Sequence, residues 1–291
     1  MIDTLVSIII PTYNRPMLLQ RSVHSVLSQS YSNLEVLIID DASALDYSDV
    51  FKEFEDTRIR YVRHRQNKGP AASRNTGIRL AQGAYIAFND DDDVWDNEKL
   101  EKQMHRMQSS EDNVGLVFSK YKKILKDGSE KEVLPVNQDI SQCHRLLLEY
   151  CFIGTPTVLM KKECIEKSGA FDENLPCLED WDLWIRVSKY YSFEYIPENL
   201  VYAYESENSV NINKKNNALA LEAILNKYID EISSDKKLRS LYYWRIGVAK
   251  GEMQDFKKSL LFLSKTALYD LRLSTLYRIC MIVLKLYKII R

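Results

Sequence analysis

Four consecutive aspartates, Asp90, Asp91, Asp92 and Asp93, lie between an apolar run and a tryptophan in AYIAFNDDDDVW, residues 84 to 95. Adjacent like charges repel, so such a run belongs on a solvated loop unless something positive neutralises it. Here Ile86, Ala87 and Phe88 on one side and Trp95 on the other tie it to a buried strand. Carboxylates separated by one residue in an extended chain point to the same side. One or two such hard oxygen ligands, completed by substrate phosphates, are the usual way Mg²⁺ or Mn²⁺ is held in phosphate chemistry. The plain alternative is an acidic loop that caps a helix starting near Asn97.

Three other stretches concentrate chemically useful residues. Asp40-Asp41 closes LEVLIID and is followed by Ala42-Ser43. A carboxylate there could accept from a base N–H or a ribose hydroxyl, or simply make a turn. NKGPAASRNTG, residues 67 to 77, sets Lys68 and Arg74 around a helix start. Free backbone N–H groups and the positive dipole end at that start suit a phosphate; the alternative is an arginine facing water. LEDWDLWIRV, residues 178 to 187, places Glu179 and Asp180 at another helix start, beside Trp181 and Trp184. Acids packed against apolar rings and each other have raised pKa values, which suits a general base. Helix capping with two core tryptophans explains the same residues equally well.

The elements that would position these groups alternate. LVSIII (5–10), LEVLIID (34–40), RIRYV (58–62) and AYIAFN (84–89) read as short strands, and 17–29, 49–54 and 70–81 as helices. Gly69-Pro70 is a turn followed by a first helical position. Alternation of this kind predicts an α/β fold with a mostly parallel sheet and helices on both faces. Ligands in such sheets bind beyond the carboxyl ends of the strands, where Pro11–Asn14, Asp40–Ser43 and Asp90–Asp93 all fall. Beyond Asn97 a helix over 97–109 precedes the strands VGLVFS and YKKILK with an Asp-Gly turn. Helix 141–150, strand 157–160, and helices at 161–168 and 179–190 complete this part. Strand signals stop after Tyr204, and residues 213 to 291 read as wholly helical. The spacing predicts two domains, 1–204 and 205–291. YWRIGVAKGEMQDFKKSLLFLSKTALYD resembles one tetratricopeptide-like hairpin, without the repeats of an array.

Composition narrows the class. The chain has 291 residues, 45% hydrophobic and 28% charged, as in an ordinary globular protein. A net charge of −1 gives no reason to expect nucleic acid as a partner. Residues 1 to 204 carry 24 Lys+Arg against 32 Asp+Glu, and the remainder 16 against 9, so the second part leans toward an anionic surface. Five cysteines without a CxxC pair argue against a disulfide framework or structural zinc. The four histidines are scattered, which speaks against a histidine metal site. GxGxxG, GxxxxGK and GxSxG are all missing, so dinucleotide, P-loop and hydrolase-elbow readings have no support. Without a basic leader or an apolar run of membrane-spanning length, the expected location is the cytoplasm, with peripheral contact at the inner face of the plasma membrane.

Taken in chain order, VSIIIPTYNRP, SVLSQSY-x-x-LEVLIIDDAS, N-x-G-x-A-x-SRNTGI, A-x-GAYIAFNDDDDVW and EDWDLWIRV resemble the inverting family-2 glycosyltransferases of the GT-A fold. The resemblance spans roughly residues 5 to 190. It implies that Pro11, Tyr13 and Asp41 cradle the nucleoside of a nucleotide-sugar donor, with Arg74 near the uracil or the phosphates. Asp90-x-Asp92 would be the D-x-D element, Asp92 on a divalent cation (Mn²⁺ or Mg²⁺) and Asp90 on that cation or the ribose. Asp93 would meet the sugar hydroxyls, and Asp91 belongs to the same donor-facing run without a separate role. Asp180 would take the proton from a hydroxyl of a glycan or lipid-linked glycan acceptor. Glu179, Trp184 and Arg186 fall on the acceptor side. Asn89 departs from the family, which carries a hydrophobic residue there.

Two other readings stand beside this one. A strand followed by D-x-D-x-V is also similar to the nucleophile loop of haloacid-dehalogenase-like phosphatases, although three strands precede it here. The other is a nucleotide-binding interaction protein without catalysis. LYRICMIVLKLYKIIR, residues 276 to 291, is apolar with interspersed Arg and Lys, as in a helix lying on anionic lipid. Docking on its own domain or on a second subunit would use the same pattern.

Overall fold

The computed structural model describes residues 3–133, 140–205, 214–269, 276–277 and 279–281. They group into two compact units, Met1–Glu173 with Asp180–Glu207, and Asn174–Glu179 with Asn208–Arg291.

The first unit begins with β1 (Val6–Thr12), α1 (Pro16–Leu27), β2 (Leu34–Asp40), α2 (Ser48–Glu53), β3 (Ile59–Arg63), α3 (Pro70–Leu80) and β4 (Tyr85–Phe88). β2 is buried at every position, as a strand covered on both faces must be. Pro16 and Pro70 open α1 and α3, where the missing N–H costs nothing. Gly77 lets α3 lie directly on β1, because a Cβ there would collide with the Ile9 side chain. β5 (Asp93–Trp95), α4 (Lys99–Ser109), β6 (Val114–Ile124) and β7 (Glu130–Val133) follow. Then come α5 (Cys143–Glu149), β8 (Val158–Lys161), α6 (Lys162–Ser168), α7 (Glu179–Val187) and β9 (Ser192–Tyr204).

The strands form one nine-stranded sheet in the order β3-β2-β1-β4-β8-β6-β9-β5, with β7 added on β6. Its first four strands are parallel, as the alternation predicts. Beyond β4 the sheet is mixed: β8 is antiparallel to β4 and β6, β9 runs parallel to β6, and β5 antiparallel to β9. Three details differ from the sequence reading, the first being the short strand β5. VGLVFS and YKKILK are halves of the single strand β6, and the Asp127-Gly128 turn leads from it to β7. β9 was absent from that reading because Pro197 and two charged residues interrupt its alternation. The sheet absorbs the interruption through register shifts, Ser119 pairing with Ile196, Lys120 with Asn199 and Tyr121 with Val201.

The second unit is helical: α8 (Lys214–Lys227), α9 (Ile229–Ser234), α10 (Lys236–Glu252) and α11 (Phe256–Tyr269). Asp235 caps α10 by accepting from the N–H groups of Lys237 at 2.8 Å and Leu238 at 3.1 Å. The buried Lys250 ammonium is paired to Glu222 at 2.9 Å. α10 and α11 form the hairpin expected from YWRIGVAKGEMQDFKKSLLFLSKTALYD, locked where Ser259 Oγ donates to the Gly247 carbonyl at 2.5 Å. The amphipathic stretch 276–291 lies largely outside the described residues. No helix among the described residues is long and apolar enough to cross a membrane.

Candidate active site

The carboxyl ends of β1, β2 and β4 converge as the sheet topology requires, and the loops leaving them are sewn together. Asn14 and Ala42 adopt left-handed backbone conformations, with φ of 56° and 65°. Such outliers gather where surrounding structure holds a site in place. The Asn14 side chain accepts from Ala44 N–H at 2.7 Å, while its own N–H donates to Ser43 Oγ at 2.8 Å.

Asp41 is buried and fully engaged. Its carboxylate accepts from the backbone N–H groups of Lys68 at 2.9 Å and Gly69 at 2.7 Å, and from His64 Nδ1 at 2.8 Å. Gly69 sits at φ 88°, a conformation open to glycine at little cost, and this brings its N–H to Asp41 just ahead of α3. The neighbouring Asp40 accepts from Ser43 N–H at 2.9 Å and from the Tyr61 hydroxyl at 2.5 Å. Burial and this bond to Asp40 push the Tyr61 phenol upward.

The acidic run alternates. β4 continues its pairing through Asn89, whose N–H donates to the Ile9 carbonyl at 3.1 Å, and a turn closes where Asp93 N–H donates to the Asp90 carbonyl at 3.2 Å. The carboxylates of Asp90 and Asp92 keep 34% and 16% of their surface, against 8% for Asp91. Asp93 is buried as well. Arginines meet the run: Arg74 donates to Asp90 at 2.8 Å, and Arg15 to Asp92 at 3.0 Å and Asp91 at 3.2 Å. Thr12 Oγ1 donates to Asp91 at 2.8 Å. Burial pushes the Asp91 carboxyl up to about 6, with Thr12 and Arg15 acting against the rise. Asp93 is raised well above the usual carboxylate range, chiefly by burial and then by the charges of Asp90 and Asp92. The run therefore carries less than four full charges at neutral pH, and cations of the chain offset the exposed ones.

Asp180 stands at the start of α7. Its two oxygens accept from Thr155 Oγ1 at 2.9 Å and from the Trp181 N–H at 2.7 Å. On β6, the Tyr121 phenol is raised by burial and then by the nearby charges of Cys151, Asp93 and Asp180. The acidic run and Asp180 thus come within electrostatic reach of one side chain. Tyr13 is 47% exposed at the end of β1, and Pro11 is half-buried beside it. Glu179 opens α7 and is half-buried. Trp184 has no exposed surface, and Arg186 is anchored on Asp182 at 2.9 Å and on the carbonyls of Ser168, Gly169 and Ala170. Packing and loop anchoring account for both. Asn89 is buried, its amide donating to Ser22 Oγ at 2.9 Å, a polar tie between the run and α1.

Sequence reasoning overlooked Arg15, Thr12, His64, Thr155 and Tyr121. Arg15 lies within the quoted VSIIIPTYNRP, where its charge was the available signal. The others are neutral or isolated and become visible only when the strands are assembled.

Among the described residues no three His, Cys, Asp or Glu side chains cluster to hold a metal by themselves. A cation held by one or two carboxylates and completed by diphosphate oxygens fits the arrangement. Asp90 and Asp92 are the oxygen donors of the run that reach the surface.

This fold, a sheet with carboxylates gathered beyond its strand ends, defines a glycosyltransferase of GT-A type. Residues 7–165 match the model of Glycosyl transferase family 2, and the chain belongs to that family. It is 35% identical to the Escherichia coli UDP-Glc:alpha-D-GlcNAc-diphosphoundecaprenol beta-1,3-glucosyltransferase WfaP, over 63% of this chain and 70% of that protein. Staphylococcus aureus TarS 1–349, solved in complex with UDP-GlcNAc, superposes with a TM-score of 0.64 at 18% identity, covering 90% of this chain and 81% of that TarS fragment. A Pyrobaculum calidifontis mannosyltransferase, solved with GDP-Man and Mn²⁺, gives 0.61 at 16%, covering 96% and 84%. Uncharacterised glycosyltransferases from Rickettsia are 37 to 39% identical, but the chain spans only 26 to 30% of their length. Family membership displaces the phosphatase reading of Asp90 and Asp92.

Proposed function

We propose that residues 1–204 transfer a hexose from a UDP-sugar, with inversion, to a hydroxyl of a lipid-linked glycan. The observation that carries this reading is the setting of Tyr121: its ring edge lies beside Gly154, next to the Thr155 that holds Asp180, and its register partner Val201 also pairs with Trp95, two residues from Asp93. Transfer needs two functions near one anomeric carbon: a base for the acceptor and a charge-bearing cradle for the leaving diphosphate. Asp180 takes the acceptor proton as the acceptor oxygen attacks the anomeric carbon from the face opposite the leaving group. Thr155 and the Trp181 N–H fix its carboxylate for that role. Tyr13 offers a ring for the base, with Pro11 and Asp41 shaping the nucleoside side. Arg74 lies where the phosphates or the uracil would bind. Asp90 and Asp92 would hold Mn²⁺ or Mg²⁺, which supplies positive charge to the departing diphosphate. Asp93, its carboxyl raised chiefly by burial, is suited to a sugar hydroxyl, and no second nucleophilic carboxylate is required.

The E. coli relative named above acts on a diphosphoundecaprenol-linked GlcNAc. This supports a lipid-linked acceptor in polysaccharide synthesis of the O-antigen or capsule kind. The helical part, 205–291, is read as an extension whose basic surplus favours the cytoplasmic membrane face.

A thermal-shift panel of nucleotide sugars with Mn²⁺ and with chelator, paired with turnover of Asp180→Asn, tests the reading. Stabilisation by a UDP-sugar is expected, along with about 10²- to 10⁴-fold slower transfer in the variant and donor binding retained. Unchanged turnover would remove Asp180 from its role, and no nucleotide response would overturn the donor class.

A further inference from the structure

Tyr121 carries a hydroxyl that the described residues leave unused. Tyr31, Tyr47 and Tyr61 each spend theirs on internal hydrogen bonds. Among the described residues the Tyr121 hydroxyl has no such partner, and the side chain is only partly buried. Its place in the sheet is unusual. It lies where the β6–β9 register slips, from Lys120 opposite Asn199 to Tyr121 opposite Val201. Irregularities of this kind re-aim side chains and are common beside active sites.

The register also fixes its neighbours. Val201 pairs with both Tyr121 and Trp95, and Asp93 is two residues from Trp95. Period-two alternation therefore puts Tyr121 and Asp93 on the same face. On the other side, the Tyr121 ring edge lies 3.6 Å from the position a Cβ on Gly154 would take. The next residue, Thr155, holds the Asp180 carboxylate at 2.9 Å. Tyr121 thus stands between the segment that orients Asp180 and the strand that carries Asp93.

The chemistry of the group selects its ligand. A phenol that stays protonated can both donate and accept, as a sugar hydroxyl does. A diphosphate would instead call for guanidinium groups such as those of Arg15 and Arg74, which meet Asp90, Asp91 and Asp92. Contact with the 154–155 turn favours the acceptor over the donor.

Resting on the glycosyl-transfer reading above, we propose that the Tyr121 hydroxyl hydrogen-bonds the acceptor sugar and holds its attacking hydroxyl beside Asp180. Tyr121 is then a specificity-determining residue for the acceptor.

The test is steady-state kinetics of wild type and Tyr121→Phe, with UDP-glucose as donor and α-D-GlcNAc-diphosphoundecaprenol as acceptor. Because the hydroxyl has no partner among the described residues, the variant should fold with an unchanged melting temperature. The expected result is about a tenfold loss of kcat/KM for the acceptor, the scale of one lost hydrogen bond, with the donor KM held within about twofold. An active wild type whose variant keeps its acceptor kcat/KM overturns the assignment of Tyr121 alone. A donor KM that rises in step with the acceptor's would move Tyr121 to the donor and also overturn it. A wild type that transfers nothing overturns the underlying reading, and this inference with it.

Discussion

Two pairs of aspartates end β2 and β4, the strands on either side of β1, and the protein treats them differently. At the end of β2, Asp40 and Asp41 are buried and saturated by fixed donors, among them three backbone N–H groups, a tyrosine and a histidine. At the end of β4, Asp90 and Asp92 stay partly exposed and are met by arginine side chains. Backbone donors hold a carboxylate permanently, whereas a guanidinium on a long side chain can move aside for a ligand. The β2 pair therefore builds the loop that leads into α3, while the β4 run keeps its charge available.

Substitutions should separate the two. The largest effect is expected at the run, where Asp92→Asn should lower sugar transfer by about 10²- to 10³-fold, the scale of one lost charge-stabilising group. Its melting temperature should stay within about 2 °C, because the carboxylate is partly solvated. Equal damage to fold and turnover would erase the distinction. Asp41→Ala should do the converse and destabilise by about 3 kcal/mol, since it strands buried N–H groups. Thermal unfolding would then shift down by about 6 to 12 °C. A shift under about 2 °C would mean that the pair is not architectural.

The smallest effect concerns pH, measured by chemical denaturation with chelator present. Asp91 is raised to about 6 in the folded protein, chiefly by burial, from about 3.9 in an unfolded chain. The folded state thus binds the proton more tightly. The stability linked to it is fully present below about pH 4 and is lost as pH rises through about 6. Asp91→Asn should flatten that decline, which is on the order of 2 kcal/mol or less. An unchanged slope would place the titration elsewhere in the run.

Much of this contrast was legible before folding, and the remainder had physical reasons to stay hidden. The first four strands announced themselves because burial on both faces demands continuous β-branched and aliphatic runs. β9 did not, because Pro197 breaks its alternation and only the partner strand's register shift accommodates it. Asp90, Asp92 and Asp180 were findable as acids in improbable surroundings. Which aspartates of the run turn inward was not, because four identical residues carry no internal contrast. Thr12 and Thr155 bear no charge and their partners are distant in sequence, and Tyr121 is likewise uncharged and far in sequence from Asp93 and Asp180. Trp184 and Arg186 drew attention by type, but packing and loop anchoring account for them.

The link between β4 and β5 also has a mechanical side. These strands stand four places apart in the sheet order. Laid flat, at about 4.8 Å per place, they would be separated by roughly 19 Å. Residues 89–92 alone bridge Phe88 to Asp93, and part of their reach is spent in a turn closed at 3.2 Å. So short a tether requires the sheet to curl until its far edge swings back toward its middle. The aspartates are therefore a gauge of length as well as a store of charge: a longer linker would slacken the curl and let the two halves of the sheet drift apart.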